Sequence, residues 1–240
     1  MLLRSAETAT GLVGEVLAEV DHPIADIRAW MADPMHWCEA MVTHINTKQC
    51  VVKKREEQPT LELSIVRKFD QPIDQAIQLD FGYQLMASTD EFAEAQLTSA
   101  QGPLGTSNYR ILLQGVALSS NKSFLRFAYS YDSNALAKVA TQAFLATFGR
   151  SKVGFTVVGN RADGTPEFIP GIRGLIERNA MRYFLAIDAY LNTDAGDSRH
   201  RHEARLQHWF AATERYPRQL HETDLQTFMQ LKRADRVVDE

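Results

Sequence analysis

Residues 75-QAIQLDFGYQLMASTDEFAEAQLTSA-100 carry two runs of alternating polarity around one turn. In the first run Ile77, Leu79, Phe81, Tyr83 and Leu85 alternate with Gln78, Asp80, Gly82 and Gln84. Successive side chains of a strand point to opposite faces, so this period predicts a strand with one buried face. Ser88-Thr89-Asp90 is a turn signal, and strand patterning resumes over 92–100. Short spacing of this kind predicts an antiparallel hairpin.

The same reading extends both ways. Downstream, strands are predicted over 107–117 and 122–132, with turns at Gly102-Pro103-Leu104-Gly105 and Ser119-Ser120-Asn121-Lys122. Upstream, residues 60–69 set Leu61, Leu63 and Ile65 against Glu62, Ser64 and Lys68. Residues 13–20, VGEVLAEV, set Val16, Ala18 and Val20 against Glu15 and Glu19. Asp21-His22-Pro23 ends that strand and opens a short helix, and Asp33-Pro34 opens a second that carries His36, Trp37 and Cys38.

Beyond the meander the period changes. Residues 134–148 read as helix, with Leu136, Val139, Ala143 and Phe144 apolar, and GRSKVGFTVVGNRADG returns to strand and turn. Pro170-Gly171 precedes a long helix from Ile172 to Leu191, striped by Ile172, Leu175, Ile176, Tyr183, Ile187 and Leu191. Two further helices are expected over 198–214 and 218–236, separated by Tyr216-Pro217. The order predicts an α+β fold: a curved antiparallel sheet whose concave face is closed by a helix.

Bulk properties exclude some functions. The chain has 240 residues, 45% hydrophobic and 23% charged, which is ordinary globular composition. Thirty acidic against 26 basic residues give a net charge of −4 and no field for gathering nucleic acid. No apolar run reaches the roughly 18 residues of a membrane span. The start, MLLRSAETATG, lacks the apolar stretch of a secretory signal.

The order of elements resembles the START-like, or Bet v 1-like, helix-grip superfamily. More specifically, DHPIADIRAWMADPMHWC, GPLGTSNYRI, FGRSKVGFTVVG, RNAMRYFLAIDAYL and WFAATERYPRQLHE resemble segments of a group of bacterial START-like proteins. The resemblance implies a helix-grip domain over 13–192 and a helical extension over 193–240 packed on it. It implies a cavity between sheet and long helix that holds a hydrophobic small molecule or lipid. Proteins of this look carry an export signal, so the sequence is expected to begin at or near a processed N-terminus, and the expected location is the periplasm, with the cytoplasm as the alternative.

Cys38 and Cys50 are the only two cysteines and enclose eleven residues. The spacing leaves open either a disulfide or two reduced core thiols. The export signal of the similar proteins implies the disulfide. Neither thiol belongs to a CxxC pair, so no zinc site is assigned.

The candidate ligand-binding residues lie in the inward rows. They are Phe81, Tyr83, Tyr109, Phe127, Tyr129 and Tyr131 on strands, and Asn179 and Tyr183 on the long helix. A mostly apolar wall with a few hydroxyls suits a pocket, and a packed core would use the same residues. Arg67 continues the row Leu61, Leu63, Ile65 and is assigned to meet an anionic group of ligand or protein, or else to reach water from the strand end. Asn179 and Tyr183 either point into the cavity or satisfy backbone groups at the sheet edge.

The seven histidines form no metal pattern, and no HExxH, GxSxG or glycine-rich phosphate loop occurs. No catalytic residue, metal or cofactor is assigned. The sequence therefore predicts non-catalytic binding or carriage of a hydrophobic or amphipathic small molecule. Two alternatives stand beside it. A cyclase- or hydrolase-type enzyme would need a titratable pair facing the cavity, sought first among Tyr, His and Arg67. An interaction module would show a filled core and an apolar patch on 198–236.

Overall fold

A computed structural model describes residues 1–54, 58–135, 139, 141, 151–193, 198–233 and 235–239. The strands predicted by alternation form as β2 (Gly11–Val20), β4 (Thr60–Ile65), β5 (Ile77–Ser88), β6 (Phe92–Gln101), β7 (Thr106–Ser119) and β8 (Lys122–Ser133). Two more join them, β1 (Leu2–Glu7) and β3 (Thr47–Lys53). The sheet runs in the order β1-β2-β8-β7-β6-β5-β4-β3, with every neighbouring pair antiparallel. A ninth strand, β11 (Arg236–Asp239), pairs parallel with β3 at the far edge. The hairpin β9 (Val157–Asn160) and β10 (Pro166–Phe168) stands apart and turns at Gly164.

Alternation decides which face of the sheet is inside. Val16, Ala18, Ala93, Ala95, Leu97, Ile111, Leu113, Leu125 and Phe127 are buried on one face. The other face carries a polar ladder across five strands. Glu15 accepts from Arg4 at 2.6 Å and from Arg126 Nε at 3.0 Å, Arg126 donates to Gln114 at 2.9 Å, and Gln114 donates to Glu94 at 2.6 Å. These pairs stay near water and leave the inner face mainly apolar and aromatic.

Helices α1 (Ile24–Ala32) and α2 (Pro34–Thr43) follow β2. Asp33 caps α2 by accepting from the Met35 backbone N–H at 2.8 Å, with Pro34 in the first turn. Cys38 on α2 and Cys50 on β3 form a disulfide with Cα atoms 5.3 Å apart. It ties the helix to β3, inside the core, where both cysteines are fully buried.

The long helix α3 (Gly171–Leu191) lies over β2, β1 and β8. Gly14 makes this approach possible: a Cβ there would sit 3.0 Å from the Ile176 carbonyl oxygen and 3.3 Å from the Ala180 methyl. The opposite side of α3 is covered by α4 (Ser198–Glu214) and α5 (Pro217–Leu220), so residues around the helix are buried, including Glu177, Arg178 and Arg182. Leu206, Trp209, Ala212, Leu220 and Phe228 join the same hydrophobic core as the sheet.

Three expectations are corrected. The sheet begins at Leu2, ahead of the expected boundary at residue 13. A single helix over 218–236 is replaced by α5, α6 (Leu225–Lys232) and β11, because Asp224 starts a new helix by accepting from the Thr227 N–H at 2.9 Å. The strand row does not extend to residue 69, since β4 ends at Ile65. The helix expected over 134–148 falls mostly outside the described residues.

Candidate ligand-binding site

The aromatic residues of the inner face meet at one end of the sheet. Tyr109 on β7 stacks on Tyr131 of β8 with ring centroids 5.2 Å apart, and lies 6.1 Å from Tyr129 and 6.3 Å from Phe81. Tyr183 descends from α3 onto the same group, 5.5 Å from Tyr129 and 6.4 Å from Phe127. His44, just after α2, stacks on the other side of Tyr183 at 5.0 Å. The turn before β7 seats Tyr109: a Cβ on Gly102 would lie 2.2 Å from the Tyr109 ring, so the glycine is needed there.

The hydroxyls differ in their partners. Tyr109 donates to Thr106 Oγ1 at 2.8 Å. No hydrogen bond from the hydroxyls of Tyr129, Tyr131 or Tyr183 is found among the described residues. Burial pushes all four phenols up, Tyr131 to about 12 and Tyr129 well above its usual value. The Tyr109 phenol adds to the upward push on Tyr129, Tyr131 and Tyr183. At neutral pH all four are O–H groups; Tyr109 donates its proton to Thr106, and the other three are able to donate to a bound oxygen.

His44 is held neutral. Burial pulls its pKa well down, and the Arg182 and Lys232 cations add to the effect. Its Nδ1 accepts from the Asn46 backbone N–H at 3.2 Å, so the proton sits on Nε2, which has no partner among the described residues. The ring stacks on Tyr183 and does not hydrogen-bond to it, so the two form no proton relay.

Of the expected site residues, Phe81, Tyr109, Phe127, Tyr129, Tyr131 and Tyr183 come together. Asn179 is half-buried on α3, one turn before Tyr183, and makes no ring contact. Two assignments are corrected. Tyr83 is buried in the inward row, but its hydroxyl donates to the Met31 carbonyl in the last turn of α1, where helix carbonyls lack internal partners. It anchors α1 to β5. Arg67 is exposed in the bend after β4, so it takes the second of its two expected positions, reaching water past the strand end and leaving the inward row. Sequence reasoning missed His44 as a neighbour of the tyrosines, and its position at the end of α2 gave no sign of the stacking.

No family model and no curated protein matches the chain. Among solved structures it is similar to norcoclaurine synthase from Thalictrum flavum in complex with dopamine and hydroxybenzaldehyde, at 12% identity and a TM-score of 0.39, over 62% of this chain and 81% of that one. It is similar to a START superfamily protein from Mycobacterium smegmatis at 13% identity and 0.39, over 57% and 92%. It is also similar to Ara h 8.0201 at 7% identity and 0.42, over 76% and 98%. At these values the likenesses carry no argument about ligand or activity. The architecture itself is a helix-grip fold on its own geometry, an antiparallel sheet gripping a long helix that follows it in the chain.

Proposed function

We propose that this chain binds and carries a hydrophobic or amphipathic small molecule, of the lipid class, between the sheet and α3, without covalent chemistry. One observation carries the reading: the rings of Tyr109, Tyr129, Tyr131 and Tyr183 gather with Phe81 and Phe127 on the apolar face of the sheet under α3. The hydroxyls of Tyr129, Tyr131 and Tyr183 would donate to a ligand oxygen, while Phe81 and Phe127 bury its apolar part. Burial contributes roughly 25 cal/mol per Å² before the costs of ordering. The buried Cys38–Cys50 disulfide supports a periplasmic location, since such bonds persist in oxidising compartments.

The test is native mass spectrometry of protein purified from its own host, then organic extraction and identification of what is released. A stoichiometric lipid-like species, lost in the Tyr129→Phe/Tyr183→Phe double variant, is the expected result. Folded protein that is empty, and that takes up no fatty acid, alcohol or sterol added in solution, rules the reading out. Alkylation of the same preparation without reductant checks the compartment: blocked cysteines are expected, and two alkylated thiols would argue for the cytoplasm.

A further inference from the structure

A second cluster lies where α3 faces the segment that follows α5. Arg178 and Arg182 stand one turn apart on the helix and are only 3% and 5% exposed. Both donate through Nη2 to one oxygen, Oε1 of Glu222, Arg178 at 2.6 Å. Lys152 donates to the other oxygen, Oε2, at 2.5 Å. Arg182 Nη2 also reaches the Leu220 carbonyl at 3.5 Å. The Nε atoms of both arginines are buried and have no partner among the described residues.

The charges do not balance. Three cations share one carboxylate. Glu177, the acid next in sequence, takes no part, because its carboxylate accepts from Ser5 Oγ, the Phe155 and Thr156 backbone N–H groups and Thr156 Oγ1. His44, which feels the Arg182 charge, is neutral. Two buried guanidiniums one turn apart repel each other, and burying a charge without a full partner is costly. A role confined to latching Glu222 would leave two positive charges in excess and both Nε donors empty.

We infer that Lys152, Arg178 and Arg182 form a binding site for a phosphate-type oxyanion, with Glu222 as the resident carboxylate it displaces or joins. A dianionic phosphate matches the excess charge, and its oxygens suit the fixed forks of two guanidiniums. Lys152 is the most exposed of the three side chains, at 37%, and gives the site its opening to solvent. The phosphate can be free or can be the headgroup of an amphipathic molecule.

The full-length chain is titrated calorimetrically with inorganic phosphate, with dodecyl phosphate and with dodecanol. Inorganic phosphate has no apolar chain, so its result is independent of the tyrosine reading. Binding of phosphate is expected, strengthened in Glu222→Gln and weakened roughly tenfold or more in Arg182→Gln. Lys152→Gln removes a partly exposed cation without opening the core, and is expected to weaken binding if Arg182→Gln does not fold. Dodecyl phosphate binding no better than inorganic phosphate identifies a free-anion site. Dodecyl phosphate binding more tightly than both phosphate and dodecanol identifies a headgroup site. Folded Glu222→Gln protein that takes up neither phosphate nor dodecyl phosphate beyond dodecanol overturns the inference, as does phosphate binding unchanged by Lys152→Gln.

Discussion

Gly154 and Gly174 meet where the segment entering β9 crosses the start of α3, and neither has room for a side chain. A Cβ on Gly154 would lie 2.9 Å from the Gly174 Cα and 2.5 Å from Glu177 Oε2; a Cβ on Gly174 would lie 2.9 Å from the Gly154 nitrogen. The contact holds the Phe155 and Thr156 N–H groups on Glu177, at 2.6 and 2.9 Å. Gly154→Ala must displace backbone or break those bonds. A loss of about 2–3 kcal/mol is expected from overpacking of this kind, read from denaturant midpoints. An unchanged midpoint would show that the crossing relaxes freely.

The Cys38–Cys50 bond closes a short loop from α2 into β3. In the chain-entropy model a loop of this size contributes roughly 3 kcal/mol. The Cys38→Ala/Cys50→Ala variant, which keeps the site apolar, is expected to lose about that much in urea denaturation. Reductant should lower the midpoint of the natural chain and leave that of the variant alone.

The central sheet was legible because one face is buried and the other wet, so β5 to β8 write their register in period two. Tyr109, Tyr129 and Tyr131 were legible for the same reason, and Tyr183 because it lies on the stripe of a long helix. Hydroxyl partners were not legible. Tyr83 shares the inward row, yet its acceptor Met31 is 52 residues away. Arg178 and Arg182 read as an ordinary polar face, because Glu222 lies 44 and 40 residues downstream. Strand β1 was hidden because Leu2 is exposed and Leu3 only half-buried, which is edge-strand patterning. Strand β11 has four residues and pairs with β3, far earlier in the chain.

The tyrosines predict an alkaline transition. Burial pushes Tyr83, Tyr131 and Tyr190 up to about 12, and raises Tyr109, Tyr129 and Tyr183 as well. An unfolded chain releases these protons near 10, so the folded state holds more protons above that pH. Their stabilising contribution is present in full below pH 10 and is lost as pH rises through the folded values. Phenolate absorbance near 295 nm should lag behind that of the chain in denaturant. It should then rise in one step together with the loss of helical circular dichroism. Early, independent ionisation of most tyrosines would show that the cluster is open to water.

Lys232 predicts a stability change in the opposite direction over a lower range. Its ammonium is fully buried and donates to the carbonyls of His44 at 3.0 Å and Thr47 at 2.6 Å, while pairing with Asp235. It thereby ties the end of α6, just before β11, to the turn leading into β3. Burial pulls its pKa from 10.5 down to about 8, against the pull of Asp235. Between those values the unfolded chain binds the extra proton, so this group makes stability rise as pH climbs through the window. Urea midpoints of the natural chain should therefore gain from Lys232 between about pH 8 and pH 10.5, and Lys232→Met should lose that gain. At neutral pH the same variant removes the cation facing Asp235 and the link to two carbonyls, and about 3 kcal/mol of destabilisation is expected. A variant with the same pH profile as the natural chain would place the titrating group elsewhere.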